Sequence, residues 1–309
     1  MEKGIMRNSL KAGLLAVAGL MACSRAVQVS SGGEVTSSPQ PSWAAVEAAI
    51  GRSGAAQPGD VYRFNFPRSD LRVMVGDVQV RPALALGGWV AFKQVSGGAM
   101  IAGDLVLTED EVNPVISALQ AGGVEQTAVH HHILGESPRI IYVHVHAHGD
   151  AVKIAQTIRN AVAVTKIPAA PAGPPATPPA IAIDTAQVAR ILRNAGRPNG
   201  GVFQFSIPRS EAIRDMGVEI PPSMGLGTVI NFQPTGDGKA AITGDFVMRA
   251  SEVNPVIRTL RENGINVTSL HSHMLTEEPR LFFMHFWAND DAVKLATAMR
   301  AALDKMASR

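Results

Sequence analysis

The hexapeptide EVNPVI stands at residues 111–116 and again, unchanged, at 252–257, a spacing of 141. Outward from it, FNFPRS at 64–69 meets FSIPRS at 205–210, and DAVK at 150–153 recurs at 291–294, both at the same spacing. Compensating one-residue slips fall near GGWVAF and GTVINF. A match of this length is an internal repeat, with one folding unit encoded twice. Between the copies lies VTKIPAAPAGPPATPPA, residues 164–180, with six prolines. Proline fixes φ and removes a backbone donor, so this segment is expected to be an extended, semi-rigid linker. Repeat domain 1 is assigned to residues 43–163 and repeat domain 2 to residues 181–309.

Each copy carries the same order of signals. A short helix (43–52 and 185–194) precedes several strands, among them GWVAFKQV and AMIAGDLVL, joined by the turn Ser96-Gly97-Gly98. Thr108 with Glu111 three residues later is a capping-box spacing and opens a helix running to Gly122-Gly123. VEQTAVHHHIL and RIIYVHVHAH then read as the two strands of a hairpin turning about Ser137. Asp150 caps a last helix through Val162, in which Val152, Ala155, Ile158 and Val162 fall near helical spacing. The expected fold class is α+β: two tandem copies of an antiparallel sheet with helices on one face, ferredoxin-like or related.

Six of the nine histidines lie within residues 128–150. Along residues 139–148, Ile141, Val143, Val145 and Ala147 point one way, while Tyr142, His144, His146 and His148 point the other. On the partner strand His130 and His132 share one face and His131 lies on the other. The apolar side is expected under the helices, with the histidine side facing away from that core. A turn at Ser137 puts His130 opposite His144, with His132 and His146 on diagonals, so that four imidazoles converge. A one-residue slip would put the two sets on opposite faces.

The repeat supplies an internal comparison. His130, His132 and His144 recur as His271, His273 and His285; Asp104, Glu136 and Arg68 recur as Asp245, Glu277 and Arg209. His146 and His148 give way to Trp287 and Asn289. Neutral imidazole is a borderline ligand suited to Zn, Cu, Ni or Fe, and three nitrogens plus water or a carboxylate make an open site. The candidate metal ligands are therefore His130, His132, His144, His146, His271, His273 and His285. Glu136, Asp104, Glu277 and Asp245 are the candidate carboxylates, and Arg68 and Arg209, each in a PRS sequence, are candidates to grip an anion.

The H-x-H-x3-E pattern of His130, His132 and Glu136 looks like the first metal motif of cupins, but flanking helices and Pro138 argue against that fold. Two other readings use the same residues. In one, a histidine near its ordinary pKa of about 6.5 acts as general acid or base in a hydrolase, dehydratase or oxygenase. In the other, the histidines are structural and satisfy a domain contact. No Ser-His-Asp spacing, Gly-rich phosphate loop or C-x-x-C is present.

Lys3, Arg7 and Lys11 precede the apolar run AGLLAVAGLMA, residues 12–22, which is too short to span about 30 Å of hydrocarbon. Residues 1–22 are expected to be a lipoprotein signal peptide. Cys23, the single cysteine, follows LMA as in a bacterial lipobox and is the expected lipidation site. Residues 23–42 then form a flexible tether rich in Ser, Gly and Pro. This makes the chain an exported, membrane-anchored protein of the cell envelope, facing the periplasm or the cell surface. The remainder is globular in composition, with 46% hydrophobic residues, and a formal charge of +2 gives no basic footprint for nucleic acid.

PRSDL, GGWVAF, GDLVLTEDEVNPV, AVHHHILGESPR and YVHVHAHGD together resemble the LppY/LpqO-like family of bacterial envelope lipoproteins, over residues 43–162 and again over 185–303. The resemblance implies envelope location and a tandem domain of unknown function, with no established reaction. The expected function is binding of a transition metal or small ligand through the hairpin histidines.

Overall fold

The computed structural model of the chain describes residues 42–170 and 177–307. The signal segment, Cys23, the tether up to residue 41 and the middle of the linker lie outside the described residues. Among the described residues no helix is long and apolar enough to cross a membrane.

Repeat 1 runs α1 (Trp43–Ile50), β1 (Ala55–Gln57), β2 (Val61–Pro67), β3 (Val73–Val75), β4 (Val78–Val80), α2 (Pro82–Ala85), β5 (Gly87–Val95), β6 (Gly98–Thr108), α3 (Glu109–Ala121), β7 (Glu125–His130), β8 (Glu136–Ser137), β9 (Ile140–Gly149) and α4 (Ala151–Ala163). Repeat 2 runs α5 (Thr185–Leu192), β10 (Arg197–Asn199), β11 (Val202–Pro208), β12 (Ile213–Asp215), β13 (Val218–Ile220), a 3-10 turn (Pro222–Met224), β14 (Gly227–Gly236), β15 (Lys239–Met248), α6 (Ala250–Glu262), β16 (Asn266–His271), β17 (Phe282–Asp291) and α7 (Ala292–Leu303). Each repeat builds a six-stranded antiparallel sheet, in the orders β1-β2-β5-β6-β9-β7 and β10-β11-β14-β15-β17-β16.

The local signals act as expected. Glu111 accepts from the Thr108 backbone N–H at 3.0 Å to open α3, and Asp150 accepts from the Val152 and Lys153 N–H groups to open α4. β6, α3 and β7 form a split β-α-β unit with β9 between the two strands. A ferredoxin-like order would place a strand that follows α4 beside β6; here β5, which precedes β6, takes that place.

Helices cover one face of each sheet. Val46, Val115, Leu119, Ile154 and Ile158 pack on Phe64, Phe66, Phe92, Val143 and Val145 in repeat 1. Val188, Val256, Leu260, Leu295 and Met299 pack on Phe205, Phe232, Met284 and Phe286 in repeat 2.

The opposite faces meet each other: the histidine side faces away from the helix-packed core, as expected, and lies against the other repeat rather than open to water. The repeats form a single compact unit in which each sends a small arm over the other's sheet. From repeat 1, Val73, Val80 and Leu84 join Val202, Ala241 and Trp287. From repeat 2, Ile213, Ile220 and Met224 join Val61, Ala91 and Met100. Polar bonds fix the arms: Asn231 Nδ2 donates to Leu84 O at 3.0 Å, Gln233 Nε2 to Gln79 O at 2.7 Å, and Ser223 Oγ to Pro58 O at 2.7 Å.

The hairpin also departs from the expected register. His130 lies opposite Tyr142, and Ala128 lies opposite His144, with a bulge between Gln126 and Ala128. The shift is two residues, so the faces are kept. The connection is a loop rather than a tight turn, because Glu136 and Ser137 leave the hairpin to pair with Val75 and Met74 of β3.

The guanidinium groups of Arg68 and Arg209, the candidates to grip an anion, are engaged by the protein's own carboxylates. The buried Arg68 guanidinium donates to Val106 O at 3.0 Å and Glu111 Oε2 at 2.5 Å, and binds Asp70 at 2.9 Å. Arg209 repeats this with Val247 O, Glu252 and Glu211, each at 2.7 Å. Glu111 and Glu252 also accept from the Lys166 and Ala307 N–H groups at 2.8 Å, so each arginine ties a strand, a helix start and the segment after its repeat's last helix together. Removing one partner of such a pair leaves a buried charge uncompensated. Arg68→Ala and Arg209→Ala are each expected to destabilise the protein by about 3–5 kcal/mol in denaturant titrations; losses of only a few tenths would contradict a buried network.

Candidate metal centre

Three histidines from each repeat meet at the contact between the two sheets. The pairing follows an approximate two-fold axis relating residues 141 apart. His130 stacks on its own counterpart His271, ring centroids 3.8 Å apart. His132 lies 3.7 Å from His285, and the counterpart pair, His144 and His273, lies at 3.9 Å. Tyr142 and Phe283 back the outer rings, stacking on His132 and His273 with centroids 3.3 and 3.5 Å away. Reciprocal bonds close the rim: Thr127 Oγ1 donates to His273 O, and Thr268 Oγ1 donates to His132 O, both at 2.6 Å. His131, found in one copy only, donates from Nε2 to Thr268 O at 3.0 Å and serves the same rim.

Asp104 and Asp245 stand at the floor, paired across the sheet with His144 and His285. The glycine before each has a steric reason: a Cβ on Gly244 would come 1.9 Å from Val229 O, and one on Gly103 would come 2.8 Å from Trp89 O. The same glycines supply carbonyls. His144 Nδ1 donates to Gly103 O at 3.2 Å, and His285 Nδ1 donates to Gly244 O at 2.7 Å. In a neutral imidazole that bond leaves Nε2 as a bare lone pair, the state in which histidine ligates a metal. His285 Nε2 faces His130 Nε2 at 3.3 Å. His132 Nε2 is 3.5 Å from Asp104 Oδ2, and His273 Nε2 is 3.1 Å from Asp245 Oδ2.

Two overlapping groups have ligand atoms within 4.8 Å of one another: His130, His132 and His285, and His130, His144 and His271. His146 belongs to neither. Its ring lies beside His148 and against Asp215 of repeat 2, so the four imidazoles expected to converge within one copy are replaced by three from each. Glu136 and Glu277 act on the loop, accepting from the Ile140 and Leu281 N–H groups. Asp215 and Thr276 escape sequence reasoning because Val75 and Gly135 stand at their positions in repeat 1, so neither is a retained polar residue.

Burial governs the electrostatics. It holds the imidazoles of His130, His132, His144, His271 and His285 below their ordinary range, with neighbouring imidazoles adding to the effect, and brings His273 down to about 3. Burial also pushes Asp245 up to about 6, Glu136 up to about 7, and Asp104 well above the carboxylate range, where Asp245 adds repulsion.

The unfolded chain protonates these histidines below about pH 6.5, while the fold keeps them neutral. The unfolded state then binds more protons, so stability is lost as pH falls through that value. The four raised carboxyl groups, Glu277 with the three above, act with the opposite sign, because folded they hold protons that the unfolded chain releases above about pH 4; the six histidines outnumber them. Chelator-treated protein is therefore expected to lose about 1.4 kcal/mol per pH unit for each excess proton between about pH 6.5 and 5. Denaturant midpoints measured across that interval check this, and a flat profile would contradict neutral buried imidazoles.

A search of curated proteins finds no match. Among solved structures the chain is similar to the fused permuted hexameric shell protein from the RMM microcompartment, at 14% identity over 69% of this chain and 86% of that one, with a TM-score of 0.21. It is similar to EtuB from Clostridium kluyveri at 10% identity over 81% and 90% of the two chains, with a TM-score of 0.19. The trimeric microcompartment shell protein PduB gives 12%, 81%, 88% and 0.18 in the same terms. TM-scores this low carry no argument about this chain. The family model described as Domain of Unknown Function (DUF1259) matches at residues 44–164 and again at 186–305, so the chain belongs to that family and carries its domain twice in tandem.

Proposed function

We propose that this protein is a metal-binding lipoprotein of the cell envelope, of the LppY/LpqO-like kind, holding a first-row transition ion such as Zn, Cu, Ni or Fe between its two repeats. One observation carries the reading. The Nε2 atoms of His132, His144 and His273, both ring nitrogens of His271, and the Oδ1 atoms of Asp104 and Asp245 are buried with no hydrogen-bond partner in the protein. Buried polar atoms ordinarily find partners, and each that does not costs about 1–3 kcal/mol. Water can serve such atoms singly. A dication serves several lone pairs together and also balances the two carboxylates, which burial otherwise keeps protonated. The donor set of imidazole nitrogens with carboxylate oxygens suits the borderline ions rather than Ca or Mg. In this reading the ion also ties the repeats together, and Cys23, through its lipid and the tether after it, holds the body at the membrane surface.

Purified without tag histidines, the full chain is expected to carry a transition metal by elemental analysis, or to take one up when dialysed against Zn, Cu, Ni or Fe at about micromolar concentration. His130 belongs to both ligand groups. His130→Ala combined with His271→Ala is therefore expected to weaken binding by about tenfold or more. A chain that takes up none of these ions removes the metal reading, and unchanged occupancy in the double variant removes the assignment to these histidines.

A further inference from the structure

Away from the two-fold axis, a second set of donor side chains spans the repeats. His146 and His148 leave β9 on one face, two residues apart, and Asp215 arrives from the end of β12 in the other repeat. One ligand atom from each lies within 4.8 Å of the others. His146 Nε2 sits 3.1 Å from Asp215 Oδ2, an ion-pair contact outside hydrogen-bond geometry, and the buried Nε2 makes no hydrogen bond within the protein. Tetrahedral donors at about 2.0–2.2 Å from one ion stand about 3.3–3.6 Å from each other; His146 and Asp215 are near that spacing at 3.1 Å, and the His148 donor lies within 4.8 Å of both. The other Asp215 oxygen, Oδ1, accepts from Thr276 Oγ1 at 2.6 Å, which fixes the oxygen turned to the histidines as outer-shell partners of metal carboxylates do.

Access differs along the group. Asp215 is 2% and His146 7% exposed, so the floor is enclosed. His148 is exposed, because β7 begins at Glu125, opposite His146, and nothing of that strand reaches further. Glu125 Oε2, at 3.9 Å from His146 Nδ1, adds a carboxylate at the rim. The related positions in the other half are Trp287, Asn289 and Val75, and Trp287 packs there among Val73, Val202 and Ala241. The other half therefore has no copy of this donor set at the related positions.

We propose that His146, His148 and Asp215 form a second site for a divalent transition ion, of two-histidine, one-carboxylate type, with its remaining positions open to water or an exchangeable ligand. It shares no residue with the central histidines and does not rest on the reading of that cluster.

Zn²⁺ titration of the full chain, purified without tag histidines and followed by calorimetry, tests the assignment. His148→Ala is expected to remove one Zn²⁺ equivalent or weaken it about tenfold or more. The equivalents lost in His130→Ala should remain in that variant. Because His148 is exposed, an unchanged denaturant midpoint will show that the fold is intact. Asp215→Asn, which keeps the side-chain shape, is expected to weaken the same equivalent. Wild-type and His148→Ala chains that bind equal numbers of Zn²⁺ with equal affinities would overturn the site, whatever His130→Ala does.

Discussion

The structure depends on the burial of two polar sheet faces against each other. Each sheet spends its apolar face on its own helices, which leaves a face carrying imidazoles, a carboxylate and a few large side chains. Such a face is stable alone only in water. Laid against its copy, it needs apolar cover at the margins and polar partners at the centre. The arms from β3, β4 and β12, β13 supply the cover, and the Thr127 and Thr268 hydroxyls supply part of the partnering. What is left over at the middle is a set of bare nitrogens and carboxylate oxygens, and it is this remainder that gives the contact its chemistry.

Much of the fold is legible in the sequence because its signals are local. The repeat, the caps at Thr108 and Asp150 and the alternation along β9 each depend on a few neighbouring residues, and each has its counterpart in the structure. What lies over the histidine face is a long-range matter that no periodicity encodes: alternation separates two faces but does not say whether the polar one meets water or another sheet. The hairpin register slipped for a similar reason. Pairing of Glu136 and Ser137 with β3 recentres the hairpin connection by one residue, and the resulting even shift keeps the faces while altering which residues stand opposite.

Comparison between the copies was a good guide to groups that lie on the two-fold axis and a poor one elsewhere. His130, His132 and His144 recur, and the structure brings them together with their counterparts. Arg68 and Arg209 recur for a different reason, since Glu111 and Glu252 recur with them and complete the same network in each half. His146 finds its neighbour in Asp215, whose equivalent is Val75. Filtering for retained polar residues discards such a partner, because one half supplies the imidazole and the other supplies the acid.

The reciprocal arms have a further meaning. A contact about a two-fold axis is self-complementary, so one repeat contains both the arm and the surface that receives an arm; two separate copies of the domain would have the same complementary surfaces to join as a symmetric pair. With both on a single chain, the proline-rich segment replaces bulk concentration by a fixed local one, and dilution no longer separates the halves. Two identical subunits must change together, whereas two halves of one chain need not. The replacement of His146 by Trp287 is what that freedom looks like: one half keeps a donor where the other has filled the space with an indole.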